Sequence, residues 1–589
     1  MTVNISTDGI LLADLKIGVV SSVAAQHVKV NLAHAGEASG HYLSGKRYGK
    51  GEVGELVLIE GQQAIILGRI TEVSLPDRDR NEISQDFSGL RKVDAIGFIR
   101  LLGSVHPISL KVQAGVASYP RLGDRVYSAP GEFISMIPLL TSAGINVQSP
   151  PVSLNLGVVS GEGGFPICVT PEKLFGRHCA ILGSTGGGKS WTTSKIIEEC
   201  RRYRSKTILL DATSEYRSLS GADTVHLHLG APLHANDNSV EIVIPPTNFT
   251  EGDFIALFQP AGKTQGPKLR EAIRSLRLAA LAPELFPQGY IPKISTSKEN
   301  FRRALNTNGN ASLVNKPTQP FDISLLVRQI VQECCFPDAG TNALDRFGPA
   351  NNELSYCSSL LTRITGVMES PSLACVFNPD AALPSLSAQM DEFLNSDAKL
   401  LRVCLSAVGY EFNAREVVAN AIGRMLLQRA RADAFRTNPL LVILDEAHNF
   451  LGKSVGSEDD LQNLDAFEMI AKEGRKYGLN ICLATQRPRD ITEGVLSQMG
   501  TMLVHRLTND RDRDVVERAC GEIDRSAAAF LPNLKQGEVA VVGVDFPIPV
   551  TIQIDRPSQP PLSDGPSYQT LWGAPVVEAS NFLNVDLPN

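Results

Sequence analysis

Short apolar runs rich in β-branched residues, separated by Gly, Pro and Asp, fill the chain from about residue 10 to 130. Many short strands at this spacing predict a small β-barrel. The strands we expect are residues 17–20, 28–30, 56–59, 64–67 and 108–112. A turn-rich connection at Ser149-Pro150-Pro151 follows this region. We therefore predict an N-terminal β-barrel domain over residues 1–148.

After that connection, apolar strands alternate with helical segments, which is the pattern of a parallel α/β sheet. We expect its strands at residues 179–182, 207–210, 401–405, 441–444, 481–484 and 502–504. A helix is predicted between residues 411 and 435, where Val418, Ile422 and Met425 share one face. Asn413 and Glu416 resemble a capping box at its start.

The alternation is interrupted between residues 246 and 397 by helix-like segments at 268–282 and 321–334. We interpret this stretch as a mostly helical insertion, which divides the sheet-forming core into residues 149–245 and 398–555. Residues 556–589 begin with a Pro- and Ser-rich tail, which predicts an extended arm lying on a surface.

Composition adds limits to this picture. A chain of 589 residues is too long for one core, and its 43% apolar and 20% charged residues are ordinary for a globular protein. No segment approaches the ~18 apolar residues of a membrane span, and the N-terminus lacks the regions of a secretory signal. We therefore expect a cytoplasmic protein with no membrane partner. A net charge of −7 neither supports nor excludes DNA binding.

A complete phosphate-binding loop follows the predicted strand 179–182. Its glycines let successive backbone N–H groups face the phosphates, the lysine reaches the β and γ phosphates, and the final serine binds Mg²⁺. A second stretch, Gly262-Lys263-Thr264, ends similarly but lacks the first glycine, so we interpret it as an ordinary loop. The residues of the complete loop are Gly183, Ser184, Thr185, Gly186, Gly187, Gly188, Lys189 and Ser190.

Two acids end the predicted strand 441–444. In a phosphate-loop enzyme this position places Asp445 near Mg²⁺ and makes Glu446 the general base that activates water. The separation between Lys189 and Asp445 is far greater than one βαβ unit needs, and the insertion accounts for it.

Three further positions have both a functional and a structural interpretation. Gln486 follows strand 481–484, where it either senses the γ phosphate or is a solvated strand-end side chain. Asp211 and Glu215 follow strand 207–210 and belong either to the acidic side of the site or to a solvated loop. Arg475 ends a helix with the apolar stripe 464, 467, 470 and 471. It is either a favourable helix C-terminal cation or an arginine finger that reaches a neighbouring subunit.

Taken together, these motifs resemble the HerA branch of the HerA–FtsK ATPases. The resemblance rests on residues 177–190, 211–216, 444–448, 474–478, 484–488 and 533–543. It implies an α/β fold with a RecA-like P-loop ATPase core, an N-terminal small β-barrel and a helical insertion. It also implies ATP and Mg²⁺ as cofactors, catalysis by Glu446, Gln486 and Arg475, and a homo-hexamer with duplex DNA in a central pore. A ring face would bind a NurA-like nuclease or a defence effector such as a sirtuin-like hydrolase.

The chain departs from the family pattern at two places. Lys472 stands where many relatives have a further arginine, so the finger rests on Arg475, or on its neighbour Lys476. Thr213-Ser214 also differs from the usual version, which leaves the role of Asp211 and Glu215 open.

Other classes fit less well. The Asp445-Glu446-Ala447-His448 box also occurs in helicases with two tandem motor domains, but too few residues follow it for a second motor. The expected function is a ring-forming, ATP-hydrolysing DNA translocase that works with a partner in DNA processing or antiphage defence. The alternative is an ATP-binding oligomeric scaffold that activates an effector without translocation.

Overall fold

The structure is a computed structural model, and it describes most of the chain. The predicted connection at residues 149–151 and residues 573–589 of the predicted arm lie outside the described part. The described residues are 10–32, 41–43, 46–48, 51–75, 95–141, 152–161, 164–231, 238–307, 309–317, 319–340, 344–378, 380, 382–451, 453–455, 461–520, 529–563, 565 and 567–572.

An antiparallel barrel forms the N-terminal region. Its strands are β1 (Lys16–Val23), β2 (His27–Leu32), β3 (His41–Leu43), β4 (Lys46–Tyr48), β5 (Leu56–Ile59), β6 (Ile65–Ser74), β7 (Ala95–Val105), β8 (Val112–Ala114) and β9 (Arg125–Ser128). Among the described residues, six strands close in the order β2-β1-β9-β5-β6-β7, and β7 pairs back to β2. Strand β8 extends the sheet from β7, and β3 with β4 forms a separate hairpin. The predicted barrel is therefore confirmed.

One predicted barrel strand is wrong. Residues 107–109 form a turn in which Ile108 is 87% exposed, because Nδ1 of His106 accepts hydrogen bonds from the backbone N–H groups of Ile108 and Ser109. Of the predicted strand 108–112, only Val112 lies in a strand, at the start of β8. The long strand β7 is not among the predicted strands, and it pairs with β2, β6 and β8.

A large mixed sheet forms the core. Its strands are β10 (Leu154–Val159), β11 (Pro166–Val169), β12 (Cys179–Leu182), β13 (Lys206–Asp211), β14 (Thr224–Leu229), β15 (Val240–Ile242), β16 (Leu400–Cys404), β17 (Leu440–Leu444), β20 (Leu479–Thr485), β21 (Thr501–Val504), β22 (Glu538–Gly543) and β23 (Phe546–Ile554); β18 (Lys453–Val455) and β19 (Gln462–Leu464) form a small hairpin beside it. In the described chain the order is β11-β10-β23-β22-β21-β12-β20-β17-β13-β16-β14-β15. The strands from β21 to β15 are parallel, and the other four are antiparallel.

The position of three strands defines the RecA-like arrangement. β20 lies between β12, which leads to the phosphate loop, and β17, which leads to the two acids. All six predicted core strands are present, and their bounds differ from the predicted ones by at most two residues at either end. The predicted α/β fold class is confirmed.

Helices cover both faces of the sheet. They are α1 (Gly131–Leu140), α2 (Pro171–Phe175), α3 (Lys189–Arg201), α4 (Glu251–Phe258), α5 (Gly262–Leu281), α6 (Glu299–Asn306), α7 (Asn310–Leu313), α8 (Leu326–Glu333), α9 (Glu353–Met368), α10 (Ala374–Phe377), α11 (Leu386–Asn395), α12 (Ala414–Arg431), α13 (Ala466–Glu473), α14 (Glu493–Leu496), α15 (Asp510–Cys520) and α16 (Tyr568–Trp572). Helices α4 to α11 lie in the stretch between β15 and β16.

Two local predictions are wrong. The stretch Gly262-Lys263-Thr264 begins α5 instead of forming a loop. Asn413 precedes α12 in a left-handed conformation, with φ of 55°, and its side chain makes no capping hydrogen bond. A capping residue accepts a bond from the helix while in extended conformation, so the left-handed backbone explains why the expected capping box does not form.

Successive side chains of the core strands enter two separate hydrophobic cores. Leu182 of β12 belongs to a core that includes residues of α4, α5 and α8 to α12, whereas Ile181 belongs to a core with α1, α3 and barrel residues such as Leu58. The alternation follows from the period of two along a strand. Across the second core, Nη2 of Arg69 in the barrel donates a hydrogen bond to the carbonyl of Pro549. Among the described helices, none is long and apolar enough to cross a membrane.

Candidate active site

The phosphate loop connects β12 to α3 at the carboxyl edge of the parallel strands. Gly186 and Gly188 have φ of +74° and +109°, which glycine adopts without a Cβ clash. A Cβ on Gly183 would lie 2.5 Å from Cβ of His505. The loop therefore requires glycine at these positions, and it ends at the positive N-terminus of a 13-residue helix.

Lys189 joins the loop to the two acids after β17. Its Nζ lies 3.1 Å from Oδ1 of Asp445 and 3.1 Å from Oε1 of Glu446. All three side chains are buried. The phosphate loop and the acid pair, predicted separately from the sequence, are therefore parts of one ionic cluster.

Burial and charge oppose each other in this cluster. Burial lowers the pKa of Lys189, but the carboxylates of Asp445 and Glu446 outweigh it and raise that pKa above its usual value. Burial raises the pKa of Asp445 to about 6, and the charge of Lys189 limits this rise. Lys189 and Asp445 are therefore both charged at pH 7, at a position where burial would otherwise neutralise them.

Glu446 is held by three neighbours. Its Oε1 accepts a hydrogen bond of 2.6 Å from Nε2 of Gln486, and its Oε2 lies 3.2 Å from Nδ1 of His448. Burial raises the pKa of Glu446, but the hydrogen bond with His448 and the charge of Lys189 outweigh it and hold the pKa at about 2. Glu446 is thus an oriented, ionised carboxylate.

Gln486 connects Glu446 to the phosphate loop. Its Oε1 accepts a hydrogen bond of 2.5 Å from the Thr185 hydroxyl, while its amide donates to Glu446. The side chain follows β20, so it reaches the phosphate loop and the acids at once. The structure brings Gln486 into the same network as Lys189, Glu446 and Thr185.

Oxygen atoms that could hold Mg²⁺ are offered by Ser190, Glu215 and Asp445. The Ser190 hydroxyl donates to Oε2 of Glu215 at 2.9 Å. Within the described chain, Oδ2 of Asp445 is buried without a hydrogen-bond partner, although a buried polar atom is normally satisfied. A hydroxyl beside carboxylate oxygens is a suitable ligand set for Mg²⁺. These residues fit the ion.

The sequence left open whether Asp211 and Glu215 belong to the acidic side of the site or to a solvated loop, and in the structure the two residues have different positions. Glu215 contacts Ser190, whereas Asp211 is fully buried and accepts a 2.7 Å bond from Nε of Arg402. Asp211 also accepts bonds from the backbone N–H groups of Ser214 and Tyr216. Asp211 therefore holds the turn that carries Glu215. The hydroxyl of Tyr216 donates to Oδ1 of Asp445 at 3.2 Å.

Arg475 lies away from the phosphate loop of its own chain. It occupies a 3-10 turn after α13, just before β20 begins. Its charge acts on His178, the residue that precedes β12. Arg475 is thus at the amino edge of the strands, opposite the phosphate loop, and it is exposed, as is Lys476. Leu464, expected on the preceding helix, belongs to β19 instead.

His505 is a residue of the site that the sequence reasoning missed. It follows β21, is fully buried, and its Nε2 lies 2.9 Å from the Thr192 hydroxyl on α3. Its ring packs against the loop glycines: a Cβ added at Gly188 would lie 3.1 Å from Cε1 of His505. The available signal was a polar residue at the carboxyl end of the strand beside β12.

The buried histidine makes stability depend on pH. Burial, helped by the charge of Lys189, lowers the pKa of His505 to about 4. Between pH 6.5 and 4 the unfolded chain binds a proton that the folded chain excludes, so stability falls as pH falls, by about 3 kcal/mol at most. We expect the melting temperature of His505→Gln to fall less steeply over this window than that of the unaltered protein. Equal slopes of melting temperature against pH for the two proteins would contradict this expectation. A substitution of His178, whose pKa burial also lowers to about 4, is the comparison variant.

A cavity of about 520 Å³ opens beside the phosphate loop. Its lining includes residues far from the loop in sequence. The residues are Ser184, Thr185, Gly186, Gly188, Lys189, Ser190, Trp191, Glu215, Gln486, Gln536, Gly537, Gln553, Ile554, Arg556 and Ser563.

A phosphate loop, a paired lysine and acids, and a strand order with β20 between them define a P-loop ATPase. The family model "Helicase HerA, central domain" matches residues 154–314. The probable DNA double-strand break repair helicase HerA of Methanocaldococcus jannaschii is 23% identical over 420 residues, which cover 70% of this chain and 78% of that protein. The DNA double-strand break repair helicase HerA of Pyrococcus furiosus is 35% identical over 116 residues, 20% of each chain.

Among solved structures, VirB4 of Thermoanaerobacter pseudethanolicus is 16% identical and has a TM-score of 0.42, covering 70% of this chain and 98% of that one. The family model and the HerA relatives agree with the motifs in the site. Together they support the assignment of this chain as a HerA-type ATPase of the HerA–FtsK superfamily.

Proposed function

We propose that this protein is a ring-forming DNA translocase that hydrolyses ATP and works with a partner protein. The observation that carries the proposal is the continuous network from Thr185 through Gln486 and Glu446 to Lys189. The network joins a phosphate-binding element to a general base and to a side chain at the end of a neighbouring strand. A protein that only bound nucleotide would not need this connection.

ATP binds along the phosphate loop in this proposal. The backbone N–H groups of residues 183–190 and the ammonium of Lys189 hold the phosphates, and Ser190 with Asp445 holds Mg²⁺. The bound ion neutralises charge on the phosphate oxygens. Phosphates compete with Asp445 and Glu446 for Lys189, so binding draws the ammonium away from the base.

Glu446 then orients a water molecule and accepts its proton. Loss of the Lys189 contact raises the pKa of Glu446, which makes the carboxylate a better base. Gln486 bridges the base and Thr185, so a change at the γ phosphate moves the end of β20. Gln486 thereby couples hydrolysis to movement of the chain.

The exposed position of Arg475 supports a ring. The phosphate loop lies at one edge of the parallel strands and Arg475 at the other, so a head-to-tail contact can bring Arg475 of one copy to the γ phosphate of the next. Head-to-tail interfaces that close produce rings. We propose a homo-hexamer with ATP between subunits and duplex DNA in the central pore.

Mixing of two variants tests the intersubunit site. We expect Arg475→Ala to lower ATP hydrolysis by about 10³- to 10⁵-fold, the range for an arginine finger, without loss of ATP binding. Each inactive variant supplies the group that the other lacks, so mixing Arg475→Ala with Glu446→Gln should restore part of the rate. Lys476→Ala is the matched control and should remain active. The assignment is wrong if mixing restores no activity, or if Lys476→Ala shows the loss instead.

Relatives named as double-strand break repair helicases support DNA as the substrate. A partner at the ring face would be a NurA-like nuclease in DNA processing or an effector such as a sirtuin-like hydrolase in antiphage defence. We propose that both protein and partner act in the cytoplasm.

Salt dependence tests the interaction with DNA. Contacts with phosphates release counterions, so affinity for a duplex should fall steeply, by at least about ten-fold between 50 and 200 mM salt. Fluorescence anisotropy with a labelled duplex and a non-hydrolysable ATP analogue measures this. Absence of binding at low salt, with and without the partner, would contradict the proposal.

A further inference from the structure

The segment after β23 is fastened to the ATPase core beside the phosphate loop. It runs along α3 and along the turn that carries Glu215. Four of its residues make hydrogen bonds there: Ser558 with Glu198 at 2.6 Å, Gln559 with Ser220 at 3.0 Å, the Pro560 carbonyl with the Ser218 hydroxyl at 2.7 Å, and the Leu562 N–H with the Glu215 carbonyl at 2.8 Å. Pro557 and Pro561 are buried in this contact.

These contacts place Arg556 against an aromatic ring. The guanidinium carbon of Arg556 lies 5.3 Å from the ring centroid of Trp191. Trp191 follows Ser190 directly, on the first turn of α3. Trp191 is partly buried and Arg556 is exposed, and both side chains line the cavity.

The cavity beside the phosphate loop extends from Lys189 to this pair. Beyond the phosphate loop, its lining includes Trp191, Arg556 and Ile554, together with Gln536 and Gln553. The cavity thus combines a lysine and backbone N–H groups with an aromatic ring, a planar cation and two amides. A nucleotide carries phosphates at one end and a flat, hydrogen-bonding ring at the other.

We propose that Trp191 and Arg556 form the binding site for the base of the nucleotide, and that residues 553–563 are therefore part of the ATP site. This inference rests on the proposed ATPase function. The base stacks on the Trp191 ring and the Arg556 guanidinium covers its edge, because aromatic and guanidinium planes both stack on bases. Purine triphosphates are favoured over pyrimidine ones, since their larger rings cover more of the indole.

The same segment contacts the acid beside the magnesium serine. The backbone N–H of Leu562 donates to the backbone carbonyl of Glu215, and the Glu215 side chain accepts from the Ser190 hydroxyl. The base site and the phosphate site are thus joined by residues 556–562. Nucleotide contacts at either end stabilise the same segment.

The chain has two tryptophans, Trp191 and Trp572, so Trp572→Phe leaves Trp191 as the single indole. In this variant we expect ATP to change Trp191 fluorescence, because the base stacks on it. Inorganic tripolyphosphate, which occupies the phosphate loop without a base, should leave the fluorescence nearly unchanged. Equal responses to the two ligands would contradict the base site.

Variants give the second measurement, by calorimetric titration of the full-length protein. Trp191→Ala should weaken ATP binding by about 10- to 100-fold, the range for loss of one stacked base, while tripolyphosphate affinity stays unchanged. Trp191→Phe keeps a ring and should retain most of the affinity. Arg556→Ala should weaken ATP binding by a few-fold, whereas Arg202→Ala, an exposed arginine just after α3 that does not line this cavity, should not.

The outcomes separate this inference from the proposed ATPase. If ATP binds and is hydrolysed, but neither Trp191→Ala nor Arg556→Ala changes its affinity, the base site is wrong and the ATPase stands. If Trp191→Ala weakens ATP and tripolyphosphate equally, the ring supports the fold of the loop and the base site is again wrong. If the unaltered protein binds no ATP, both proposals fail.

Discussion

Glu446→Gln is expected to lower the rate of ATP hydrolysis by at least about 10²-fold, and up to 10⁴-fold, the range that a general base supplies. The amide cannot accept the proton of water, but it retains the size of the side chain and can bond Gln486. ATP binding should therefore stay within a few-fold of the unaltered value. Steady-state phosphate release and calorimetric titration of the same samples measure the two quantities.

Glu284→Gln is the matched control for this substitution, because Glu284 is exposed in the helical insertion. It should hydrolyse ATP at the unaltered rate. An active Glu446→Gln protein would contradict the assignment of the base. If Glu446→Gln abolishes hydrolysis while the activity of the partner survives in full, the protein is a scaffold instead of a motor.

Lys189→Ala is expected to abolish measurable ATP binding and to destabilise the fold. Removal of the ammonium leaves Asp445 and Glu446 as two buried acids without their cation, and breaking such a pair typically costs about 3–5 kcal/mol. Protonation of Asp445, whose pKa is already about 6, would offset part of this cost. The variant should therefore melt at lower temperature and recover some stability as pH falls from 7 to 5.

Lys263→Ala is the control here, because Lys263 stands at the corresponding place of the second Gly-Lys-Thr stretch. It is exposed at the start of α5, far from the sheet edge. Binding, hydrolysis and melting temperature should all match the unaltered protein. Unchanged ATP affinity in Lys189→Ala would contradict the phosphate site.

The sequence predicts the core strands well because their patterns are local. Each parallel strand is a short apolar run bounded by polar residues, and both faces are buried. The glycine pattern of the phosphate loop and the acids after β17 are equally local. These patterns predict Lys189 at the phosphates and Asp445 near Mg²⁺, and in the structure Nζ of Lys189 lies 3.1 Å from Oδ1 of Asp445.

Features that depend on distant residues could not be predicted in the same way. His505 packs against the phosphate loop because β21 pairs with β12, and neither strand specifies its partner locally. Asp211 is a structural residue because Arg402, on the neighbouring β16, is buried against it. Asn413 has the sequence of a cap, but its left-handed backbone, set by the chain around it, prevents capping.

Arg556 could not be predicted as a site residue either, because its position also depends on residues distant in sequence. A Pro- and Ser-rich tail predicts an extended segment, but which surface it covers depends on its partners in the folded chain. The contacts of residues 558–562 with α3 and the Glu215 turn bring Arg556 to Trp191. The composition of the tail does not predict the contact between Arg556 and Trp191.

The central claim is that hydrolysis at this site moves the protein along duplex DNA. Displacement of a labelled third strand from a triplex by the purified protein, with its partner present, measures this movement directly. The account predicts displacement that requires ATP and Mg²⁺ and is absent in Glu446→Gln. If the unaltered protein hydrolyses ATP but displaces no third strand, the central claim is contradicted.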